Sequence, residues 1–455
     1  MGVVHAKSKT PGDEIIETRI LDTSSLKARV DRIHVQGLQR TKDDFVQAAV
    51  APLMEVTEMN NLFLTVNEVR NTLGQLACFK SVAVGIDVSG TTPDGVEVWF
   101  YVEELKRHRG GFKAQGGNNE GSCGIGFDSV NFKGRGEKAS FSYEYGTRKT
   151  ASFALDVSKP LVDLGCSKLA ASAFSTNSIS PSSLFRLTSR GLSLGLDLFP
   201  FWDVQHRVSW DGCWRDLNCM SIDTPFSVRE EAGHSLKSGL RYSVSKDSRD
   251  SKMLPTEGTL WRLSSEASGF GGDVGFLQHG FDYQANFRVL GNLVGQVGLS
   301  GNVQYQTPWQ TSMSLKAPQI CDRCFMGGPL DVRGFRINGA GPHADAAALG
   351  ASTKLAYGAH IYFPMPGISH YGFSDSFRFH AFATAGHIGE LQEKPNFEEL
   401  RHTLRQNLRA SCGIGMVLRL GDMARLELNY ALPMIWQNGD QRQRGFQLGI
   451  GVDYL

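Results

Sequence analysis

The 455-residue chain has no run of about 18 consecutive apolar residues, the least that lets a helix cross a bilayer. That excludes helical spans and says nothing of strands, because a tilted strand crosses with about 9 to 11 alternating residues. The mean hydropathy of −0.22 therefore leaves membrane residence open. Charge of one sign is also missing: 47 Lys and Arg stand against 46 Asp and Glu, so no general field gathers phosphate backbones, and nucleic acid is not expected as a partner. Met1 to Arg29 shows neither a basic start with an apolar core nor an Arg-rich amphipathic pattern, so no cleaved address is expected there. This polar stretch, with Pro11 and Gly12, reads as a disordered lead over 1–29.

Cysteine is sparse and scattered, at Cys78, Cys123, Cys166, Cys213, Cys219, Cys321, Cys324 and Cys412, and only Cys321 and Cys324 are close neighbours. A structural zinc needs about four ligands and no second pair supports these two, so plain thiols are expected. His370, His380, His387 and His402 show no metal-pair spacing, and His343 stands unsupported near the cysteine pair. No metal, cofactor or enzymatic activity is expected. Gly191-Leu192-Ser193-Leu194-Gly195 spells a nucleophile elbow, but that motif needs a strand-to-helix turn, and here it lies inside an alternating run.

Glycine is abundant, 51 of 455 residues, about 11% against a usual 7%, and it is spread through strand-like segments without a collagen period. Residues 30–104 differ from the rest. Ile33 and Val35 alternate, Gly37 turns, Thr41 is placed to cap a helix bearing Phe45, Ala48 and Ala49, and a second helix is expected near Val66 to Gln75. Val82, Val84 and Ile86, then Val96, Val98, Phe100 and Val102, mark two strands around a Pro93-Asp94-Gly95 turn, giving a small α+β unit in βααββ order.

From residue 106 to 455 alternation dominates. Phe141, Tyr143 and Tyr145 interleave with Ser142 and Glu144; Phe281, Tyr283 and Phe287 with Asp282, Gln284 and Asn286; Leu426, Leu428 and Tyr430 with Arg425, Glu427 and Asn429. The last such run, Phe446 to Tyr454, ends within a strand. About sixteen segments of this kind, an even number, suit an all-β transmembrane barrel with antiparallel strands and a polar lumen. A soluble sandwich or propeller shares the period of two. Against it stand the strand lengths, glycines on the polar face, and Trp202, Trp210, Trp261, Trp309 and Trp436 near expected strand ends, as in interfacial girdles. Unpaired sheet edges are not tolerated in lipid, so the pattern implies closure.

Alternation lapses over a long loop, 309–349, containing Asp322-Arg323, Gly327-Gly328-Pro329 and Val332-Arg333-Gly334-Phe335. With that tetrad after an eleventh strand, the chain resembles the outer-membrane β-barrel assembly superfamily, and within it the mitochondrial sorting and assembly branch. The unit at 30–104, opening with Val35-Gln36-Gly37-Leu38, resembles a single polypeptide-transport-associated (POTRA) domain. The resemblance implies that the loop folds into the lumen and that Arg333 meets polar groups on barrel strands twelve and thirteen. Its partner motif, usually Phe-x-Asp-x-Gly, is matched by Phe382, Thr384 and Gly386, where threonine supplies no countercharge and another acid or carbonyl is needed. Gln443, Gly445, Leu448 and Ile450 resemble a mitochondrial β-signal in the last strand.

Also implied are a role as core subunit folding and inserting β-barrel precursors, and a lateral gate between the first strand, Gly110 to Gly117, and the last, Gly445 to Leu455. Further implications are residence in the mitochondrial outer membrane with the N-terminal domain in the intermembrane space, and partners among β-barrel precursors, metaxin-like subunits, an inner-membrane cristae-organising complex and the lipid bilayer. A metabolite channel would need neither the tetrad nor residues 30–104, while a polypeptide-import pore of plastid type would share both.

Overall fold

The computed structural model describes residues 26–76, 78–116, 120–162, 167–201, 204–306, 316–364, 376–390, 407–421, 424–452 and 454–455. The lead up to residue 25, Cys166, Trp202, Trp309, His370 and His402 lie outside the described residues. Contacts divide the chain into two units at Glu104 and Leu105.

The first unit runs β1 (Arg29–Gln36), α1 (Asp43–Val50), α2 (Met59–Gln75), β2 (Phe79–Val88) and β3 (Gly95–Glu104). β3 is central, parallel to β1 and antiparallel to β2. Val98 and Phe100 on it, like Leu53, Leu62 and Leu73 of the helical segment, are fully buried, which is the apolar content that holds the helices on three strands. α2 begins well before the expected Val66, because its first turns carry Asn60, Asn61 and Thr65, which dilute the apolar period. Gly37 takes φ +101°, and a Cβ there would lie 2.0 Å from the Val102 carbonyl oxygen, so the turn after β1 admits only glycine.

Thr41 does not cap α1. Lys42 occupies the cap position without a side-chain bond, and the Thr41 hydroxyl donates to Glu104 at 2.7 Å. The same carboxylate accepts the backbone N–H groups of Gln39, Arg40 and Thr41 and the Arg40 side chain. Burial alone would raise the Glu104 pKa, but these donors outweigh it and hold the carboxyl down at about 2. The end of β3 thereby fixes the loop that enters α1.

The second unit is a sixteen-stranded antiparallel sheet in sequential order. Its strands are β4 (His108–Gly116), β5 (Gly121–Val130), β6 (Lys138–Gly146), β7 (Ala151–Leu161), β8 (Ser167–Ser180), β9 (Phe185–Phe201), β10 (Val204–Cys219) and β11 (Gly233–Asp247). They continue as β12 (Gly258–Ser268), β13 (Phe276–Leu290) and β14 (Leu293–Tyr305). After a two-residue ribbon of β15 (His343–Ala344) and β16 (Ala347–Ala348) come β17 (Thr353–Pro364), β18 (Phe377–Gly389), β19 (Leu408–Leu420), β20 (Ala424–Ile435) and β21 (Gly445–Gly451). β14 is thus the eleventh strand and β17 the twelfth. Gly191 to Gly195 lie wholly within β9, so the elbow string forms no strand-to-helix turn.

Alternation is realised as two faces. Leu192, Leu194, Phe287, Ile414 and Leu448 are exposed on one side. Arg215, Glu266, Gln296, Arg425 and Glu427 are buried on the other. A buried polar face beside an exposed apolar one inverts a water-soluble sheet, and it is what a bilayer outside and a filled lumen inside require. Trp436 follows the end of β20, under the Arg442 guanidinium at 4.4 Å. Trp210 departs from the expected girdle: it lies in the middle of the 16-residue β10 and donates to Ser238 at 3.1 Å.

β4 and β21 stand at the two ends of the strand order, and among the described residues no ladder joins them. The last strand also stops earlier than alternation suggests. β21 ends at Gly451, Leu455 N donates to the Leu330 carbonyl at 3.0 Å, and the Tyr454 ring lies 3.8 Å from the Arg425 guanidinium. Contacts to the lumen loop and to a buried charge take the place of further strand pairing.

Candidate lumen lock

The loop between β14 and β17 folds against the polar face of the sheet. Its tetrad is buried: Val332, Arg333 and Phe335 have no exposure. Gly334 adopts φ +81°, a conformation costly for any side chain, and this reversal lets Arg333 and Phe335 leave the turn in different directions. Phe335 packs with Met326, Val332 and Ile388.

Arg333 is held at each of its polar ends. Its backbone N–H donates to Thr384 Oγ1 at 3.2 Å, and Thr384 in turn meets Ser411 Oγ at 2.9 Å. Its guanidinium lies 5.0 Å from the centre of the Phe382 ring. Nε and Nη2 donate to Glu427 Oε2 at 3.3 and 2.8 Å, and Nη1 faces His360 Nε2 at 3.4 Å. His360 and Thr384 stand on barrel strands twelve and thirteen, β17 and β18. The countercharge missing at position 384 comes from Glu427 on β20, the fifteenth strand.

Glu427 is shared. Its Oε1 lies 2.6 Å from Arg425 Nη2, and its Oε2 also accepts Asn429 Nδ2 at 2.7 Å. Arg425 donates to the Tyr362 hydroxyl at 2.7 Å. Asn429 Oδ1 meets His380 Nε2 at 2.7 Å, and the His380 and His360 rings stack 5.4 Å apart. Two guanidiniums around one carboxylate leave an excess positive charge in a desolvated site, which is tolerated because the cations also face rings and hydroxyls. Among the described residues no group of three His, Cys, Asp or Glu side chains has metal-binding geometry, this cluster included. The arrangement ties the loop, through Arg333, to β17, β18 and β20.

Gly386, the third member of the matched motif, contributes space: a Cβ there would lie 2.6 Å from Met326 Sδ and 3.1 Å from Val332. The loop is stitched to the end of the chain as well. Gly334 N donates to Gln447 Oε1 and Gln447 Nε2 donates to the Phe335 carbonyl, each at 2.9 Å. Gln443 N donates to the Gly334 carbonyl at 2.9 Å. In β21, Gln447 and Gly449 therefore face the loop, while Phe446 and Leu448 are exposed on the outer face. Gly445 takes φ +113° where the chain enters the strand, and Ile450 pairs with Leu426 of β20.

Cys321 and Cys324 are free thiols. Burial pushes them up to about 12 and about 11, which makes them poor nucleophiles at neutral pH. Sequence reasoning found Arg333 and the β18 residues but not Glu427, His360 or Gln447, which look like ordinary lumen-facing positions.

An antiparallel sheet of sixteen strands with a buried polar face, and with the loop after its eleventh strand pinned inside by an arginine, defines a class: outer-membrane β-barrels with a lumen-inserted loop. The model of the Omp85 superfamily domain matches residues 131–454. The crystal structure of BamA from Haemophilus ducreyi lacking POTRA domains 1-3 superposes with a TM-score of 0.70 at 16% identity, covering 92% of this chain and 84% of that one. The chain is 36% identical to the sorting and assembly machinery component 50 homolog of Bos taurus, and 35% identical to homolog B of Xenopus laevis, over the full length of both sequences in each case. It belongs to the sorting and assembly machinery component 50 family of the Omp85 superfamily.

Proposed function

We propose that this protein is the core subunit that folds and inserts β-barrel precursors into the mitochondrial outer membrane, by opening laterally between β4 and β21. The observation that carries the reading is the seam itself. Among the described residues β4 and β21 are the only strands of the sixteen with one ladder each, while the loop stitched to β21 through Gln447 and Gln443 holds that edge in place. An edge with unpaired amides is a template for another strand, and in lipid it must find one. A precursor strand that pairs there exchanges backbone hydrogen bonds, and no covalent step, nucleotide or cofactor takes part.

In this reading the first unit is a single POTRA domain in the intermembrane space, Gln443 to Ile450 form the closing strand, and metaxin-like subunits and a cristae-organising complex of the inner membrane are the stable partners. A metabolite channel fits less well. The loop occupies the lumen, and the cavity of about 680 Å³ beside it is lined by Arg249, Lys252, Arg262 and Lys354 together with Asp247, Asp282 and Asp331, so both charge signs are present and neither dominates strongly. Tethering β4 to β21 through cysteines introduced on both strands should stop precursor insertion and leave the barrel folded. Normal insertion by the tethered protein would contradict lateral opening.

A further inference from the structure

The loop carries a second charged cluster eleven residues before Arg333, in contact with different strands. Asp322, whose side chain is 3% exposed, accepts both arms of the Arg215 guanidinium from β10, at 2.8 and 2.9 Å. Lys237 of β11 approaches the same carboxylate at 3.5 Å and forms a closer ion pair with Glu266 of β12. Arg241 of β11 reaches Glu266 at 2.6 Å. Around this core, Ser235 donates to Gln319 at 2.7 Å, Arg323 pairs with Glu231 at 2.7 Å, and Cys324 exchanges backbone bonds with Ala351 at 2.9 and 3.0 Å.

The geometry points to Asp322 as a second anchor of the lumen loop, a positioning residue that holds the loop's first half on β10 and β11 independently of the pairing between Arg333 and Glu427. Three features support independence. The two clusters share no residue. They stand on either side of Gly327 and Gly328, at φ +106° and +140°, a turn in the left-handed region that carries the loop from the first cluster to the second. The bidentate geometry is also selective, since an uncharged side chain of the same size would fill the position of Asp322 but would leave Arg215 without its ion pair and Lys237 with Glu266 alone. When the loop withdraws, Arg215, Lys237 and Arg241 are left with Glu266 and Glu231, an excess of positive charge that favours return of the same carboxylate.

The inference rests on the reading of this loop as the lumen lock, and trypsin tests the two separately, because its sites fall at both ends. Lys316 and Arg323 report the first half, and Arg336 reports the tetrad. In the full-length protein, embedded in membrane and checked for barrel folding by heat-modified migration, Asp322→Asn should speed cleavage after Lys316 and Arg323 by about tenfold or more and change cleavage after Arg336 by less than about twofold. Arg333→Ala should do the reverse. Combining Asp322→Asn with Arg215→Met should be no worse than Asp322→Asn alone, the signature of one shared interaction. If the neutral variant fails to fold, Arg215→Lys keeps the charge, removes the fork and should give a smaller opening of the same sites.

Unchanged cleavage after Arg323, equal opening at Arg336, or additive effects of the two substitutions would each overturn the second anchor and leave the lock reading intact. If instead Arg333→Ala left precursor insertion at the normal rate, the functional reading would fail whatever the Asp322 variants showed.

Discussion

Replacing Glu427 by alanine should damage the lumen lock more than replacing Arg333, although Arg333 is the residue that the tetrad draws attention to. Arg333→Ala removes one cation and leaves Glu427 with Arg425 at 2.6 Å and Asn429 at 2.7 Å, so the acid stays paired. Glu427→Ala removes the only acid among two fully buried guanidiniums, Arg333 and Arg425. Breaking a buried pair from one side costs about 3 to 5 kcal/mol, and the two variants should fall near opposite ends of that range. The gap of about 2 kcal/mol corresponds to roughly thirtyfold in the population of released loop. The assay is the rate of trypsin cleavage after Arg336, alongside the rate of precursor insertion. Glu427→Gln should resemble alanine, since it keeps the shape and loses the charge. The reasoning is refuted if Arg333→Ala releases the loop as readily as Glu427→Ala.

Thr384→Val should loosen the tetrad by about 1 to 2 kcal/mol, because the buried N–H of Arg333 and the hydroxyl of Ser411 both lose their partner; hydrogen exchange at Arg333 reads this directly, and unchanged protection would count against it. Gly334→Ala should cost about 1 to 3 kcal/mol, since φ +81° is strained for alanine and its Cβ would lie 3.1 Å from the Ser411 Cβ; thermal unfolding of the purified barrel would detect the loss. In the first unit, Glu104 has its folded pKa lowered to about 2 from 4.5, so it stabilises the loop into α1 above pH 4.5 and the contribution fades as pH falls toward 2. Exchange protection of Thr41 N–H should drop through that window, and Glu104→Gln, which removes the charge, should lower protection at neutral pH and flatten the acid dependence.

The strand count and the two faces were legible because a period of two extends over hundreds of residues, and no local feature competes with it. The tetrad was legible because Gly334 and Arg333 form a contiguous signal. Glu427 lies 94 residues beyond Arg333 and occupies an unremarkable polar position in an alternating strand, so only the closing of the sheet around the loop shows that it is the countercharge. Asp322 was visible as part of a motif, yet its partners Arg215 and Lys237 precede it by 107 and 85 residues. Thr41 had the chemistry of a helix cap, and a tertiary carboxylate won its hydroxyl. The early end of β21 follows the same rule: Leu455 and Tyr454 find the Leu330 carbonyl and the Arg425 guanidinium, contacts that alternation does not encode.

The central claim is that a precursor strand pairs at the seam. Phe112 on β4 and Phe446 on β21 are 93% and 71% exposed, and Tyr283 lies on the outer face of β13, far from the seam in strand order. A photoreactive residue placed at each of these positions, with a precursor arrested during insertion, should cross-link the precursor at positions 112 and 446 and leave position 283 unlabelled. Labelling at 283 equal to that at the two edges, or none at either edge, would contradict the account.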